Sequence, residues 1–137
     1  GEQLGKAWQR SPSVQHLQPI VVPLPIHAQK RQERGFDQAV EIARGFCQVT
    51  GLPLEEQGLE RVRPTQALYE LSAAARRREI DGAFRVGAGV DRLRRAGRSI
   101  LLIDDILTTG TTAQAGCQAL RLRGLRVCGI AAVSAPR

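Results

Sequence analysis

The feature that most constrains this chain is an apolar run that ends in two adjacent carboxylates. Residues 100–103 are Ile-Leu-Leu-Ile, and Asp104 and Asp105 follow at once. An apolar run without alternation predicts a strand covered on both faces, as in a parallel α/β sheet. Ligands bind beyond the carboxyl ends of such strands. Because neighbouring carboxylates repel one another, a pair at this place predicts a ligand that uses both of them.

The residues after the two aspartates predict a site for an anion. Residues 107–112 read Leu-Thr-Thr-Gly-Thr-Thr, which supplies hydroxyl and backbone N–H donors and a glycine that admits close approach. The spacing beyond them predicts a helix that Thr112 caps, with an inward face at Ala113, Gly116, Cys117 and Leu120. Helix N-termini attract anions, and paired carboxylates suit the two vicinal hydroxyls of ribose. One short segment therefore predicts a site for a ribose that carries a phosphate.

Three other interpretations of the same segment fit less well. A Walker B strand also ends in acidic residues, but the chain contains no GxxxxGK[ST] sequence. A dinucleotide-binding fold needs GxGxxG after its first strand, whereas the first predicted strand here ends at Pro25. Simple capping of the next helix by acidic residues accounts for neither the doubled aspartate nor the four threonines.

The rest of the chain alternates strand-like and helix-like patterns. We predict a short helix within residues 4–16, a strand at 19–25, a helix at 36–50, a strand at 83–86 and a strand at 125–133. This order predicts an α/β domain with a mainly parallel sheet. Residues 57–81 are polar, rich in arginine and weakly periodic, which indicates either a functional lid or an error in the assignment of elements there.

Composition sets limits on the protein class. A length of 137 residues predicts one domain over residues 1–137, and no apolar run is long enough to predict a membrane span. Three cysteines without paired spacing favour free thiols in a reducing cytoplasm over a zinc site or disulfides. The net charge of +7, carried mainly by arginine, suits a phosphorylated ligand or nucleic acid, although genome composition explains arginine usage equally well.

Residues 100–112 resemble the phosphoribosyl pyrophosphate (PRPP) motif of type I phosphoribosyltransferases. Two further stretches resemble the ComF family, which includes the GntX proteins and is linked to DNA uptake in natural transformation. The first stretch comprises residues 22–27, Arg31 and residues 34–39. The second comprises residues 61–63, Gln66, residues 71–72, Arg76, Arg78 and residues 83–84. The resemblance covers residues 19–134 and implies a type I phosphoribosyltransferase-like fold, with a flexible hood at approximately 57–81.

The resemblance also implies roles for individual residues. Asp104 and Asp105 would hold the ribose hydroxyls and stabilise the sugar cation that forms as pyrophosphate leaves. The 5-phosphate would bind Thr108, Thr109, Gly110, Thr111 and Thr112. The pyrophosphate side would comprise Pro25, Ile26, His27, Arg31 and Arg34. The hood would contribute Gln66, Arg76 and Arg78. For His27, a structural or exposed position is the alternative. For the arginines it is a solvated basic face, and for Arg31 and Arg34 also contact with a nucleic-acid backbone.

The family's Mg²⁺ accompanies PRPP and reaches the protein mainly through water, so we expect no protein ligand for it. Two departures from the family pattern are Glu79 and Asp37, which both stand where the family has asparagine, and we expect the family's four-cysteine zinc module to be absent. Two functions follow. One is transfer of phosphoribosyl to an unidentified acceptor, and the other is a non-catalytic competence accessory protein that binds a ribose phosphate or docks a DNA-processing partner. The few aromatic residues are not interleaved with basic ones, so the sequence offers no stacking site for nucleic acid.

Overall fold

The computed structural model describes residues 1–11, 17–25, 37–62, 83–106 and 111–134. The elements, in chain order, are α1 (Glu2–Gln9), β1 (Ile20–Pro23), α2 (Gln38–Thr50), β2 (Leu59–Arg61), β3 (Phe84–Val86), α3 (Val90–Ala96), β4 (Ile100–Ile106), α4 (Thr111–Arg121) and β5 (Val127–Ser134). β1, β4 and β5 form a parallel sheet in that order, and β2 and β3 pair antiparallel. The predicted α/β class, with a mainly parallel sheet flanked by helices, is confirmed.

The register of the central sheet brings the ends of its strands together. Ile20 of β1 lies opposite Ile100 of β4, which in turn lies opposite Val127 of β5. Beyond the end of β1, the backbone N–H of Leu24 donates to the carbonyl oxygen of Ile103 at 2.8 Å. We call the side where these parallel strands finish the carboxyl edge and the opposite side the amino edge. Asp104 and Asp105 therefore lie at the carboxyl edge, beside the residues that follow β1.

The continuous apolar pattern of β4 is explained by burial on both faces of the sheet. Ile100 and Leu102 belong to a core that includes residues of α3, α4 and the β2–β3 pair. Leu101 and Ile103 belong to the opposite core, which includes Phe46 of α2 and, at its margin, α1. Alternate β4 side chains thus enter opposite cores, so every position in this part of the strand must be apolar.

Helix α2 is capped by an aspartate at its N-terminus and by a glycine at its C-terminus. The Asp37 side chain is buried and accepts a hydrogen bond from the backbone N–H of Ala39 at 3.1 Å. At the other end Gly51 has φ 74°, and its N–H donates to the carbonyl of Cys47. A left-handed backbone favours glycine, so the helix ends there.

We expect Asp37→Ala to lower the free energy of unfolding by about 1 kcal/mol, because the first turn of α2 loses its side-chain acceptor. Asp37→Asn is the matched control, since asparagine caps helices as well as aspartate does. Urea denaturation of the three proteins measures both effects. An asparagine variant as unstable as the alanine variant would show that charge, rather than capping, is what Asp37 contributes.

The structure adds detail to the sequence-based predictions at three places. Helix α3 was not predicted, because its seven residues bury only Leu93 and are too short to show a periodicity. The hood predicted over residues 57–81 contains strand β2, whose three residues are too few to show alternation, and residues 63–81 lie outside the described ranges. Helix α4 begins at Thr111, so Thr112 lies in its first turn rather than at its cap. Across the described ranges, no helix combines the length and the apolar character that crossing a membrane requires.

Candidate functional site

The two aspartates are near the end of the central strand, and their side chains interact with each other. Asp104 lies opposite Ala132 of β5, and pairing continues to Ile106 opposite Ser134. Oδ1 of Asp104 accepts a hydrogen bond from the backbone N–H of Asp105 at 2.8 Å. The side chain of Asp105 also lies close enough to the Asp104 carboxyl to raise its pKa. Successive side chains of a strand normally point apart, whereas these two are held close enough to contact one small ligand.

The environment of Asp104 favours its protonated form. Burial raises the pKa of Asp104 to about 7, and the side chain and negative charge of Asp105 contribute in the same direction. The hydrogen bond from the Asp105 backbone N–H and the positive charge of Arg61 oppose this increase. A half-buried carboxyl beside a second carboxylate is costly in the ionised state. A ligand that donates hydrogen bonds to both groups, or that brings positive charge, would relieve this cost.

Arg61, the last residue of β2, is the basic group that faces the aspartates. Its guanidinium carbon lies 5.2 Å from the ring centre of Phe84, an arrangement typical of a cation–π contact. Burial lowers the pKa of Arg61 and the charge of Asp104 raises it. The sequence places Arg61 in a family-like stretch but does not indicate that β2 carries it to the carboxyl edge. The structure shows that Arg61 lies on β2, which pairs with β3, and close enough to Asp104 for the charge of Asp104 to raise its pKa.

A cavity of about 310 Å³ lies beside this group at the carboxyl edge. It is lined by Pro25, Asp37, Val40, Glu56, Gln57, Leu59, Glu60, Arg61, Gly87 and Ala88. Two of its carboxylates are engaged, since Glu56 pairs with Arg44 at 2.6 Å and Glu60 pairs with Arg85 at 3.2 Å. The volume is in the range of small-ligand sites, and Arg61 connects the cavity to Asp104.

The structure tests the placement of only some predicted site residues. Asp104 and Asp105 lie together, Pro25 lines the cavity, and Thr111 and Thr112 begin the 11-residue helix α4. The other predicted residues lie outside the described ranges: Ile26, His27, Arg31, Arg34, Gln66, Arg76, Arg78, Thr108, Thr109 and Gly110. Within the described ranges, no group of three or more histidine, cysteine, aspartate or glutamate side chains is arranged to hold a metal ion.

Comparison with known proteins identifies relatives over most of the chain. The DNA utilization protein YhgH of Salmonella typhi is 30% identical over 104 residues, which are 76% of this chain and 44% of that protein. Competence protein F of Haemophilus influenzae is 28% identical over 118 residues, which are 84% of this chain and 51% of that protein. This chain is a homologue of YhgH and of competence protein F. The resemblance to the ComF family is confirmed.

The match to the ComF homologues is partial in length. The chain spans about half the length of these curated relatives. A third relative, the adenine phosphoribosyltransferase of Streptomyces galbus, is 50% identical over 36 residues, which are 26% of this chain and 20% of that enzyme. No protein-family model matches the chain. The names of the ComF homologues refer to DNA utilization and competence, and the short local match is to a phosphoribosyltransferase.

Proposed function

We propose that this ComF homologue binds PRPP with Mg²⁺ at the carboxyl edge and transfers its phosphoribosyl group to an acceptor. The observation that carries the proposal is the pair of adjacent carboxyls, Asp104 and Asp105, near the end of the central strand and shortly before helix α4. Two carboxylates and a helix N-terminus on one short segment match the two halves of a ribose 5-phosphate. The short match to an adenine phosphoribosyltransferase supports the same ligand class.

Each part of the site has a role in this proposal. Asp104 and Asp105 accept hydrogen bonds from the ribose 2- and 3-hydroxyls, and residues 108–112 bind the 5-phosphate. During transfer the bond from C1 of ribose to pyrophosphate breaks, and its electron pair leaves on the pyrophosphate oxygen. The acceptor's lone pair forms the new bond to C1, and its proton passes to pyrophosphate or water. The negative charge of Asp104 and Asp105 stabilises the positive charge that develops on the ribose ring.

The residues at this edge suit a hydrated Mg²⁺ ion. Carboxylate oxygens are the hard ligands that Mg²⁺ prefers, and Mg²⁺ usually retains several waters and binds substrate phosphates. Asp104 and Asp105 would therefore hold the ion through its water shell, and the ion would neutralise charge on the departing pyrophosphate. Arg61 lies beside Asp104 and lines the cavity, so a further anionic group of the ligand would bind next to its positive charge.

A second candidate function is binding without transfer. The names of the ComF homologues refer to DNA utilization and competence rather than to a transfer reaction. In that case the site would sense a ribose-phosphate ligand, and the chain would act as an accessory protein for a DNA-processing partner. A cytoplasmic location stays a prediction for either function, in keeping with three free cysteines in the structure.

The fate of PRPP separates transfer from binding. We expect pyrophosphate release by the wild type when PRPP, Mg²⁺ and a panel of bases and amines are supplied, and none from Asp105→Asn. Asp91→Asn is the matched control, because Asp91 is an exposed aspartate on α3. Release that survives in Asp105→Asn would contradict the assigned roles. Saturable PRPP binding without release for every acceptor would favour the non-catalytic function.

A further inference from the structure

The amino edge of the sheet, opposite the candidate site, carries a concentration of arginines that the proposed function does not use. We call it the arginine face. It comprises Arg94, Arg95, Arg98, Arg121, Arg123 and Arg126. They lie in the last turns of α3 and α4 and in the connections that lead from α3 into β4 and from α4 into β5. Five of the six side chains are exposed, and Arg98 is half-buried.

Hydrogen bonds bring the two connections together and hold several guanidinium groups in place. Nη2 of Arg94 donates to the carbonyl of Arg123 at 3.3 Å, and Nη2 of Arg126 donates to the carbonyl of Gly97 at 3.5 Å. Nε of Arg98 donates to the carbonyl of Gln18 at 2.5 Å, in the segment that precedes β1. Carbonyl oxygens position these side chains without cancelling their charge, and each guanidinium retains further donors.

Three exposed arginines elsewhere in the described ranges are paired with carboxylates. Arg44 pairs with Glu41 and Glu56, Arg85 with Glu60, and Arg92 with Glu55. By contrast, Asp91 is the one acidic residue in segments 90–99 and 119–128, which supply the whole arginine face. Six positive charges on one edge of a chain whose net charge is +7 form a local positive field.

Stabilisation of helix ends explains only part of this arrangement. Arg94 and Arg95 lie in the last turn of α3 and Arg121 in the last turn of α4, where positive charge interacts favourably with the helix dipole. The other three arginines lie outside both helices. Two of those three flank an open groove of about 540 Å³, which is lined by Leu17, Gln18, Arg98, Ser99, Arg126, Val127 and Cys128.

We propose that the arginine face binds the phosphate backbone of a nucleic acid, at a second site on the edge opposite the ribose-phosphate site. Guanidinium groups match phosphate geometry with two donors, and phosphate contacts alone give binding that is independent of base sequence. An acidic protein surface fits less well, because protein interfaces have a core of aromatic or large apolar anchors. The described part of the arginine face offers one exposed large apolar side chain, Leu122.

Titration of a short labelled oligonucleotide, followed by fluorescence anisotropy over a range of salt concentrations, tests this proposal. We expect Arg123→Gln/Arg126→Gln to weaken binding about tenfold at roughly 0.1 M salt and to reduce the slope of log K against log salt by about two. Arg44→Gln/Arg85→Gln is the matched control, because it removes the same charge from surfaces outside the arginine face. Thermal melting checks that each variant is folded.

Several outcomes would overturn the proposal. The first is that the wild type does not bind the oligonucleotide at low salt. The second is that both double variants lose the same amount of affinity. The third is that poly-glutamate of matched charge competes as well as an unlabelled oligonucleotide. Saturating PRPP with Mg²⁺ and the substitution Asp104→Asn/Asp105→Asn are both expected to leave oligonucleotide binding unchanged. Displacement of the oligonucleotide by PRPP would place it at the carboxyl edge instead. Oligonucleotide binding is measured without PRPP, so its outcome does not depend on whether PRPP is a ligand. Failure of the nucleic-acid proposal therefore does not decide the ribose-phosphate proposal, and the reverse also holds.

Discussion

Asp104→Asn is expected to stabilise the protein, by about 2–4 kcal/mol at about pH 8, even though it alters the residue most closely associated with the site. The pKa of Asp104 is raised to about 7, first by burial and then by Asp105, whereas an aspartate in an unfolded chain has a pKa near 4. At about pH 8 the folded protein must hold a half-buried negative charge beside Asp105. Asparagine removes that charge, and its side-chain oxygen still accepts the hydrogen bond from Asp105 N–H.

The sign of the pH dependence follows from the same values. Between about pH 4 and 7, the folded wild type binds a proton that the unfolded chain has released, so the free energy of unfolding falls as the pH rises through this window. The advantage of Asp104→Asn should therefore be near zero at about pH 4 and reach its full size above about pH 7. Urea denaturation across this range, with Asp91→Asn as the control, measures it. A variant that is less stable than the wild type at every pH would mean that Asp104 is a structural residue.

Phe46→Ala is expected to have the opposite effect and to lower the free energy of unfolding by about 3–5 kcal/mol. The Phe46 side chain is 0% exposed and packs with Leu101 and Ile103 in the core between the sheet and helices α1 and α2. The Trp8 ring meets it edge-on, with 5.9 Å between ring centres. Truncation removes these contacts and leaves a cavity against the face of β4.

Leu122→Ala is the control for this core variant, because Leu122 is 76% exposed and its truncation should change the free energy of unfolding by less than about 0.5 kcal/mol. Denaturant unfolding of both variants measures the difference. Ligand binding provides a second comparison, since Phe46 does not line the cavity. The folded fraction of Phe46→Ala should keep the PRPP affinity of the wild type, while Asp104→Asn should lose affinity as it gains stability. Equal stability of Phe46→Ala and the wild type would contradict the packing described for this core.

The long elements of the fold could be predicted because the pattern of apolar residues in each of them indicates which faces are buried. The apolar run at 100–103 indicated a strand buried on both faces, and β4 has both neighbours and both cores. Residues 36–50 carried a helical period, and α2 covers Gln38–Thr50. Strand β2 and helix α3 could not be predicted, because three and seven residues are too few for a period to emerge. Their formation depends on partners distant in sequence.

The candidate site could also be predicted only in part. The adjacency of Asp104 and Asp105 is a property of the sequence, and their place at the carboxyl edge follows from parallel pairing. Arg61 is 43 residues from Asp104 along the chain, so the sequence does not show that the two are neighbours. Strand β2, which pairs with β3, places Arg61 where its charge and that of Asp104 affect each other's pKa. The arginine face was visible only as a high net charge, because its two segments meet through backbone carbonyls rather than through any local motif.

Calorimetric titration of PRPP with Mg²⁺ into the wild type and into Asp104→Asn/Asp105→Asn tests the central claim most directly. We expect saturable one-site binding to the wild type and an affinity at least about 100-fold lower for the double variant, because two charge-assisted hydrogen bonds to ribose are lost. Phe46→Ala, titrated where it is folded, shows whether loss of stability alone affects binding. No saturable binding to the wild type at about 1 mM PRPP, or equal affinity in the wild type and the double variant, would contradict a ribose-phosphate site at Asp104 and Asp105.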